Sequence, residues 1–498
     1  MTTLIKNGLV YDGSGTAPVK KDILIRGTYI AKCGTLSREH ADVVIDAGSS
    51  MVTPGFIDIT SHSDHHMSLF YEPYQEDFIR QGITTIIGGN CGVSLAPQIG
   101  GSLESVREWG SETGINVNWH SVKEFLEMLK KKKLGINFGT LIGHTSLRRA
   151  ITQNTFRDLT ESEIEMFKKI VGEGLKDGAF GLSVGLEHTH AARTPFSELR
   201  ELVRVVAKQN SVYAVHVRDA REGLEESIDE ILELAIETNA NVEISHLQPL
   251  KKYRDAYKDA AAKIEKESAR HQIHFDVNPF DSVPLLIYEL LPKWFSEESI
   301  EIMHKKTKAA SNRERLIPYL KENAPRECII THIPDASLKY LEGKSIKEFS
   351  TRNNMSYEEG LLKIMELTHL RATLAVKIVD TETLNSFLAH PNSIISTNSA
   401  SFGKKEFKFT PSTETFPAFL RFADDSKLLS VEKAVEKATS LPAQKYGIAK
   451  RGFVREGYFA DIAIFSNFEP TYVFVNGELA LESGTNTRTL SGEIIKRT

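Results

Sequence analysis

The stretch SVYAVHVRDAREGLEESIDEILELAIETNANVEISHLQ, residues 211–248, decides the fold. Two apolar runs, Val212–Val217 and Asn241–Leu247, flank a helical pattern over Glu222–Thr238. Short apolar runs rich in β-branched residues are typical of buried strands, and the 3.6-residue periodicity between them is typical of an amphipathic helix. A strand, a helix and a second strand in this order predict a parallel β–α–β unit. Each predicted strand carries a histidine at its end, His216 or His246.

The same alternation continues through the middle of the chain. Eight apolar runs, with helical patterns in most of the gaps, are the signature of a (β/α)8 TIM barrel, so we expect an α/β fold of this kind. The eight runs are Gly55–Thr60, Thr84–Asn90, Asn137–Gly143, Ala179–Gly185, Val212–Val217, Asn241–Leu247, His274–Phe280 and Ser393–Ser399. The gap after the seventh run is far too long for one helix, which predicts an insertion after strand seven at about residues 295–345.

Both ends of the chain show short β-rich runs between turn signals. These runs are Thr3–Asn7, Asp22–Arg26, Asp42–Asp46, Ala460–Phe465 and Thr471–Val475. The dipeptide Asn476-Gly477 follows the last run and is a favoured hairpin turn. The pattern predicts one small β-sandwich domain built from both termini, residues 1–54 and 440–498, beside a barrel domain of residues 55–439.

The composition excludes several classes of protein. The chain has 498 residues, and its 61 Lys and Arg residues against 66 Asp and Glu residues give a net charge of −5. This balance argues against nucleic acid or an anionic membrane as a partner, and no apolar run reaches the ~18 residues of a membrane span. Three cysteines are too few for a disulfide framework, and the N-terminal sequence does not look like a secretory signal, so we expect a cytoplasmic protein. The sequence carries no signal of its oligomeric state.

Polar side chains collect where the barrel strands are predicted to end, which is where barrel enzymes carry their active sites. These residues are His62, Cys91, His144, His216, His246 and Asn398. A single histidine at a strand end is usually only hydrogen-bonded, and a buried cysteine is usually an inert small hydrophobe. The shared placement of one cysteine and several histidines favours a zinc site with a position left open for water. We expect His65 and His66 to face solvent, and Cys33 and Cys328 to be structural.

Motifs over nearly the whole chain resemble the amidohydrolase superfamily, and in particular its D-aminoacylase (N-acyl-D-amino-acid deacylase) branch. The barrel entry VIDAGSSMVTPGFID, residues 44–58, is general to the superfamily, whereas the NCG, HxR and ISH elements at Cys91, His216 and His246 are more specific to the branch. The resemblance implies a hydrolase that cleaves the C–N amide bond of an N-acyl-D-amino acid or related small amide, with metal-activated water as the nucleophile. It also implies one tightly bound zinc ion per chain on these three residues, which the strand ends had already selected.

The sequence departs from this family at Thr60, Asn398, Gln248 and Ser412. Thr60 stands where the family's first strand has a histidine, and Asn398 stands where its last strand has the aspartate that accepts a proton. A second, weakly held metal position is therefore expected to be lost. Gln248 and Ser412 stand where cations are expected to hold a substrate carboxylate. Either other cations take that part, or the substrate is not a free N-acyl-D-amino acid; the candidate cations are Arg148, Arg218, Lys251 and Lys252.

The departures leave the chemistry open between alternatives. An amide is not a general base near neutral pH, so Asp64, His144 or the zinc ion alone would have to deprotonate water, while His62 would shape the site. The alternative to an amidohydrolase is a catalytically altered member of the same scaffold. It would be a binding protein or a non-hydrolytic barrel enzyme, such as an isomerase or lyase, that uses zinc as a Lewis acid without activating water.

Overall fold

The computed structural model describes residues 2–497 except 101–104, 110–114, 154, 189, 297 and 404–405. Its strands, in chain order, are β1 Thr2–Val10, β2 Val19–Arg26, β3 Tyr29–Gly34, β4 Val43–Asp46, β5 Met51–Pro54, β6 Phe56–Asp58, β7 Ile83–Gly88, β8 Asn137–Thr140, β9 Ile142–Gly143, β10 Gly181–Gly185, β11 Val212–His216, β12 Asn241–Ile244, β13 Ile273–Val277, β14 Val283–Leu286, β15 Cys328–His332, β16 Thr373–Val376, β17 Ser393–Ile395, β18 Ile462–Ser466, β19 Glu469–Val475, β20 Glu478–Glu482 and β21 Thr485–Asn486. Its α-helices are α1 Ser68–Tyr71, α2 Glu76–Ile79, α3 Val122–Lys132, α4 His144–Thr152, α5 Glu161–Asp177, α6 Phe196–Lys208, α7 Leu224–Thr238, α8 Arg254–Ser268, α9 Lys293–Ser296, α10 Ile300–Thr307, α11 Ala310–Asn323, α12 Ile346–Arg352, α13 Tyr357–Leu367, α14 Thr381–Ala389, α15 Thr410–Ser426, α16 Val431–Ala438 and α17 Ser440–Tyr446.

Parallel strands from the middle of the chain pair in an order that follows the sequence. Strands β6, β7 and β8 form one parallel sheet, and β9, β10, β11, β12, β13 and β17 pair in that order in another. Leu141 alone separates β8 from β9, and a parallel bridge joins Ser61 to Ser399 just beyond the ends of β6 and β17. Helices lie between most successive strands, so the fold is mixed α/β, and the carboxyl ends of the parallel strands share one side.

The helices follow the apolar periodicity and the end signals of the sequence. The predicted helix Glu222–Thr238 is α7, and the pattern over Ser121–Lys133 is α3, in which Ser121 caps the amino end and accepts a hydrogen bond from the Glu124 N–H. Lysines fill the last turn of α3, where they complement the negative end of the helix dipole. No helix in the described part of the chain combines the length and the apolar character needed to cross a membrane.

Strands from the two ends of the chain form one nine-stranded sheet. Strand β18 pairs antiparallel with β5, which joins the C-terminal strands to the N-terminal ones. The predicted turn between β19 and β20 is present, and Asn476 and Gly477 both have positive φ angles of 51° and 80°. A Cβ atom on Gly477 would lie 2.0 Å from the carbonyl oxygen of Gly27, so this position requires glycine. Strand β3 was not predicted, because Ile30 is its one fully buried apolar residue.

An inserted unit follows the seventh parallel strand. Strands β14, β16 and β15 form an antiparallel three-stranded sheet, and helices α9 to α13 pack with it around a hydrophobic cluster that runs from Leu286 to Val376. The insertion is therefore longer than the predicted 295–345 at both ends. Strands β14 and β16 are only four residues long and pair with each other across most of the insertion, so the local sequence gives no signal of where the unit begins. Trp109, Leu285 and Ile378 pack on both this cluster and the main core.

Candidate active site

Cys91, His216 and His246 converge at the carboxyl ends of three parallel strands. Cys91 follows β7, His216 ends β11 and His246 follows β12. The Cys91 Sγ atom lies 3.2 Å from His246 Nε2, and one ligand atom from each of the three residues lies within 4.8 Å of the others. Among the described residues this is the one group of His, Cys, Asp and Glu side chains with the spacing of a metal site.

The free atoms of the cluster fit a metal ion. His216 Nε2 donates a hydrogen bond to Glu187 at 3.0 Å, while its Nδ1 atom is buried without a partner. A carboxylate on the outer nitrogen of a histidine is the usual support of a metal ligand, because it fixes the tautomer and the ring orientation. Burial, followed by the negative charges of Asp276, Glu243 and Glu289, raises the pKa of the Cys91 thiol well above its usual range. The carboxyl groups that disfavour a free thiolate would favour a cation at the same place, and a sulfur with two nitrogens suits zinc.

The backbone turns sharply at several of these strand ends. Cys91, His246 and Asn398 have φ angles of 49°, 37° and 45°, in the left-handed region that residues with a side chain rarely adopt. Such conformations cost about 1–3 kcal/mol each and are kept where the surrounding structure holds them. These conformations direct the side chains of Cys91, His246 and Asn398 away from the regular path of the strands.

Asn398 belongs to a chain of hydrogen bonds through two histidines. Its side-chain amide lies 2.7 Å from His62 Nε2, His62 Nδ1 lies 2.9 Å from His65 Nδ1, and His65 Nε2 lies 2.9 Å from the carbonyl oxygen of Val93. Burial is the largest cause that lowers the pKa of His62 to about 3 and of His65 to about 4, so both rings are neutral at pH 7.

The positions of the protons in this series of hydrogen bonds follow from its last partner, the carbonyl oxygen of Val93. A carbonyl oxygen only accepts, so His65 donates to Val93 from Nε2 and accepts from His62 at Nδ1. A neutral His62 that donates from Nδ1 must accept at Nε2, and hydrogen-bond partners decide how an amide is turned. The structure places the Asn398 Oδ1 atom 2.7 Å from His62 Nε2, and this tautomer requires the amide to be turned over so that its NH2 group takes that position. In either orientation an amide cannot act as a base near neutral pH.

A cavity of about 1180 Å³, partly open to solvent, lies beside the candidate metal ligands. His62, Asn398 and Gln248 line it together with the three candidate ligands, as expected for a site at the strand ends. The inserted unit supplies much of the opposite wall, through Val283, Pro284, Leu285, Leu286, Glu289, Thr331, His332 and Thr373. The insertion thus borders the space in which a substrate would lie.

Several residues expected in the site do not line the cavity. His144 Nε2 and Arg148 Nε bond to Glu198 at 2.9 and 3.1 Å in a separate buried cluster. Asp64 is buried and accepts a hydrogen bond of 2.7 Å from the Gly89 N–H. His144, Arg148 and Asp64 were expected to act in the site, and this expectation is corrected. Their side chains are hydrogen-bonded to protein groups and are not among the described residues that line the cavity.

The expected cations are also engaged elsewhere. Arg218 pairs with Glu230 at 2.7 Å, and Lys252 has a largely exposed side chain 3.5 Å from Glu222; neither lines the cavity. Gln248 does line it, but its NH2 group donates to the carbonyl oxygens of Asn278 and Phe280, at 3.0 and 2.7 Å. Ser412, buried, bonds to Ser399 at 2.6 Å. None of the four candidate cations, Arg148, Arg218, Lys251 and Lys252, is among the described residues that line the cavity.

The cavity wall contains residues that the sequence analysis did not select. His65 and His66 were expected to face solvent, but His65 is fully buried and His66 lines the cavity, with its ring 4.5 Å from that of His332. The other unexpected lining residues include Trp109, Glu187, His188, Arg221 and Glu289. Glu187 follows β10, so a search of every strand end would have found it. Glu289 comes from the inserted unit, whose position over the strand ends is not visible in the sequence.

The site therefore has the arrangement that is typical of catalytic metal sites in α/β proteins. A cysteine and two histidines lie beside an open cavity, at the carboxyl ends of parallel strands. No protein-family model matches the chain. The D-aminoacylase of Alcaligenes xylosoxydans xylosoxydans is 26% identical to it, and the alignment covers 99% of this chain and 97% of that relative.

Solved structures agree with this similarity. A D-aminoacylase, studied for one-metal activation and second-metal attenuation at its binuclear metal center, superimposes with a TM-score of 0.83 at 25% identity over 99% of both chains. The N-acyl-D-glutamate deacylase of Bordetella bronchiseptica, complexed with zinc and a phosphonate inhibitor, gives a TM-score of 0.83 at 22% identity over 99% of both chains and supports the fold. The resemblance of the chain to the D-aminoacylases of the amidohydrolase superfamily is confirmed.

Proposed function

We propose that this chain is a zinc-dependent amidohydrolase that cleaves the C–N amide bond of an N-acyl-D-amino acid or a related small amide. The convergence of Cys91, His216 and His246 beside a cavity carries the proposal. The similarity to D-aminoacylases over nearly the whole length supports the type of bond that is cleaved. When bound, a zinc ion in such a site polarises a carbonyl group and lowers the pKa of coordinated water.

The side chains around the cluster hold and orient rather than titrate. Glu187 fixes His216, and Asn398 fixes His62 and, through it, His65. The hydroxyl group of Thr60 donates to Asp276 at 2.9 Å and is fully buried, so it is directed away from the cavity. With Thr60 so engaged and Asn398 acting as a donor, we propose one tightly bound zinc ion per chain and no second metal.

A second candidate function is favoured by the identity of Asn398. Because residue 398 is an asparagine whose amide bonds to His62, the described site has no carboxylate at the position where the family has its proton acceptor. A non-hydrolytic zinc enzyme or a binding protein would not need a base at that position. The two candidates share the metal site and differ in whether the zinc-loaded protein turns over an amide.

The finer description of the fold is also a proposal. The parallel pairing from β6 to β17 and the bridge from Ser61 to Ser399 support a closed (β/α)8 barrel. The sheet of both termini supports a small β-sandwich domain of residues 1–54 and 440–498 beside a barrel domain of residues 55–439.

The deciding experiment measures metal and turnover in the same preparation. Protein purified without chelators should contain about one zinc per chain, and Cys91→Ser should lose most of it, because a thiolate ligand is replaced by a neutral hydroxyl. Cys328→Ser is the matched control, since Cys328 is a buried cysteine of the inserted unit and bonds to the Pro325 carbonyl oxygen.

The outcomes separate the candidates. Hydrolysis of N-acyl-D-amino acids or their amides by the wild type, lost in Cys91→Ser, supports the amidohydrolase. Zinc binding without turnover of any compound in that set supports the second candidate. A wild-type protein that binds no zinc even after its addition contradicts both.

A further inference from the structure

The charged groups of the cavity wall form one compact set. Apart from histidines and Cys91, the charged side chains among the described lining residues are Glu187, Arg221 and Glu289. Arg221 Nη1 donates to Glu187 Oε1 at 2.7 Å, and Glu187 also accepts from His216. The negative charges of Glu187 and Glu289 act on Arg221 and raise its pKa. The one arginine of the described wall is therefore already neutralised by a carboxylate of the protein.

The balance of charge disfavours an anionic ligand at this wall. Arg221 is already paired with Glu187, Glu289 adds no positive charge, and the described lining residues include no lysine. Burial and the nearby charge of Glu187 raise the pKa of Glu289 to about 8, against the lowering effect of Arg221. Negative charge is thus costly here even on the protein's own carboxyl group, and a substrate carboxylate would meet the same cost.

Gln248, which stands where the resemblance led us to expect a cation, does not offset that cost. Its NH2 group is used by the main-chain carbonyl oxygens of Asn278 and Phe280. Around it the wall is apolar, with Leu250, Val283, Leu285 and Ile378 among the lining residues. A ligand over this part of the wall meets an apolar surface and the partly exposed carboxyl group of Glu289, whose oxygen atoms can accept a hydrogen bond.

We infer that the substrate of the proposed amidohydrolase has no free carboxylate, and that Glu289 binds an uncharged or positively charged N–H donor of an apolar amide. A primary carboxamide in place of the α-carboxylate satisfies this description, because its NH2 group donates to Glu289 while an aliphatic side chain packs on the apolar wall. The inference rests on the proposed function and narrows its substrate class to N-acyl amino acid amides or related compounds without a carboxylate.

A matched pair of compounds tests it on the zinc-loaded full chain near neutral pH. N-acetyl-D-leucine and N-acetyl-D-leucinamide share the acyl group and the side chain and differ only in the terminus. We expect kcat/KM for the amide to exceed that for the acid at least about tenfold, because the described wall offers no unpaired cation to a buried carboxylate. Glu289→Leu removes the hydrogen-bond acceptor at similar side-chain size and should narrow this ratio, mainly by weakening the amide. Glu222→Leu, which changes a largely exposed side chain outside the cavity, should leave the ratio unchanged.

Calorimetric binding of both compounds separates failure of the inference from failure of the proposed function. If neither compound is cleaved but the amide binds more tightly, and Glu289→Leu narrows that difference, the inference holds and the hydrolase proposal fails. If cleavage occurs with the acid equal or preferred, the hydrolase proposal holds and the inference is overturned. A ratio of the amide to the acid that Glu289→Leu does not change, or no binding of either compound, also overturns the inference.

Discussion

The side chain of Glu187 shows what a single residue adds to this site. It accepts from His216 at 3.0 Å and from Arg221 at 2.7 Å. Burial raises its pKa, but the hydrogen bond from His216 and the charge of Arg221 outweigh burial and bring the pKa to about 2. Glu187 is therefore a positioning residue that holds the outer nitrogen of His216 and leaves Nδ1 free.

Replacing Glu187 should weaken zinc binding. Glu187→Gln keeps an oxygen near His216 but removes the negative charge, and the loss of such a supporting carboxylate typically costs about 10–100-fold in metal affinity. Competition with a chelator of known affinity measures the zinc dissociation constant. Glu198→Gln is the matched control, because Glu198 makes a similar contact of 2.9 Å with His144 outside the cavity.

This expectation fails if the Glu187→Gln variant binds zinc as tightly as the wild type, or if Glu198→Gln weakens binding equally. The metal-free Glu187→Gln variant should unfold at a lower midpoint than the metal-free wild type, because Arg221 loses its charged partner. Both metal-free proteins should still be folded under the conditions of the zinc titration, which circular dichroism checks; an unfolded variant would mean that Glu187 supports the fold rather than the metal ligand.

Individual site residues could be predicted from the sequence where they stand at the end of a predicted strand. Cys91, His216 and His246 were predicted from their place after apolar runs, and the structure brings their ligand atoms together. The partners of a side chain could not be predicted in this way. His144 and Arg148 follow a strand as well, but Glu198 on α6 binds both of them, and that contact depends on how the helices pack.

At the scale of an element, helix α5 illustrates how local sequence sets a boundary. Thr160 and Glu163 form a capping box, in which the Glu163 N–H donates to the Thr160 hydroxyl oxygen and the Thr160 N–H donates to the Glu163 carboxylate at 2.8 Å. Arg157 adds two hydrogen bonds to the same carboxylate, at 2.8 and 2.7 Å. The pattern of a hydroxyl residue followed three positions later by glutamate is visible in the sequence.

The stabilising effect of Glu163 should depend on pH. The hydrogen bonds from Arg157, followed by that from the Thr160 N–H, lower the pKa of Glu163 to about 2, below the value of about 4.3 in an unfolded chain. A lowered folded-state pKa stabilises the fold above the unfolded pKa, and that contribution is lost as the pH falls through this window. We expect Glu163→Gln to lower the urea midpoint at pH 7 and to lower it less at pH 4.

Glu173→Gln in the same helix provides the comparison. Its side chain is exposed and lies 3.9 Å from Lys169, so its replacement should change the midpoint little at either pH. An equal effect of Glu163→Gln at both pH values would show that the charge of Glu163 does not stabilise the helix start.

Elements with strong local signals were predicted well, and those that depend on distant partners were not. The hairpin turn at Asn476-Gly477 and the helix α7 follow from turn residues and periodicity. The limits of the insertion could not be predicted, because β14 and β16 pair across a long intervening segment and neither strand carries a local signal of that pairing. The position of Glu289 over the cavity depends on that pairing.

The whole molecule is built around separate hydrophobic clusters. The cluster of the inserted unit runs from Leu286 to Val376, and the main core surrounds the parallel strands. The candidate metal ligands belong to β7, β11 and β12 or follow them directly, whereas one wall of the cavity belongs to the inserted unit. The candidate metal site and this wall of the cavity therefore belong to different parts of the molecule.

A core substitution in the inserted unit should weaken binding of the amide substrate without changing the affinity for zinc. Leu362 is fully buried in that cluster, and Leu362→Ala should cost about 2–5 kcal/mol of local stability through lost burial and a cavity. We expect faster amide hydrogen exchange across residues 286–376 and a raised KM for the amide substrate, with an unchanged zinc dissociation constant. Val171→Ala, in the main core on α5, should leave exchange in the inserted unit unchanged. If Leu362→Ala instead accelerates exchange throughout the parallel strands and weakens zinc binding, the clusters unfold as one unit and the wall of the cavity is not an independent part of the fold.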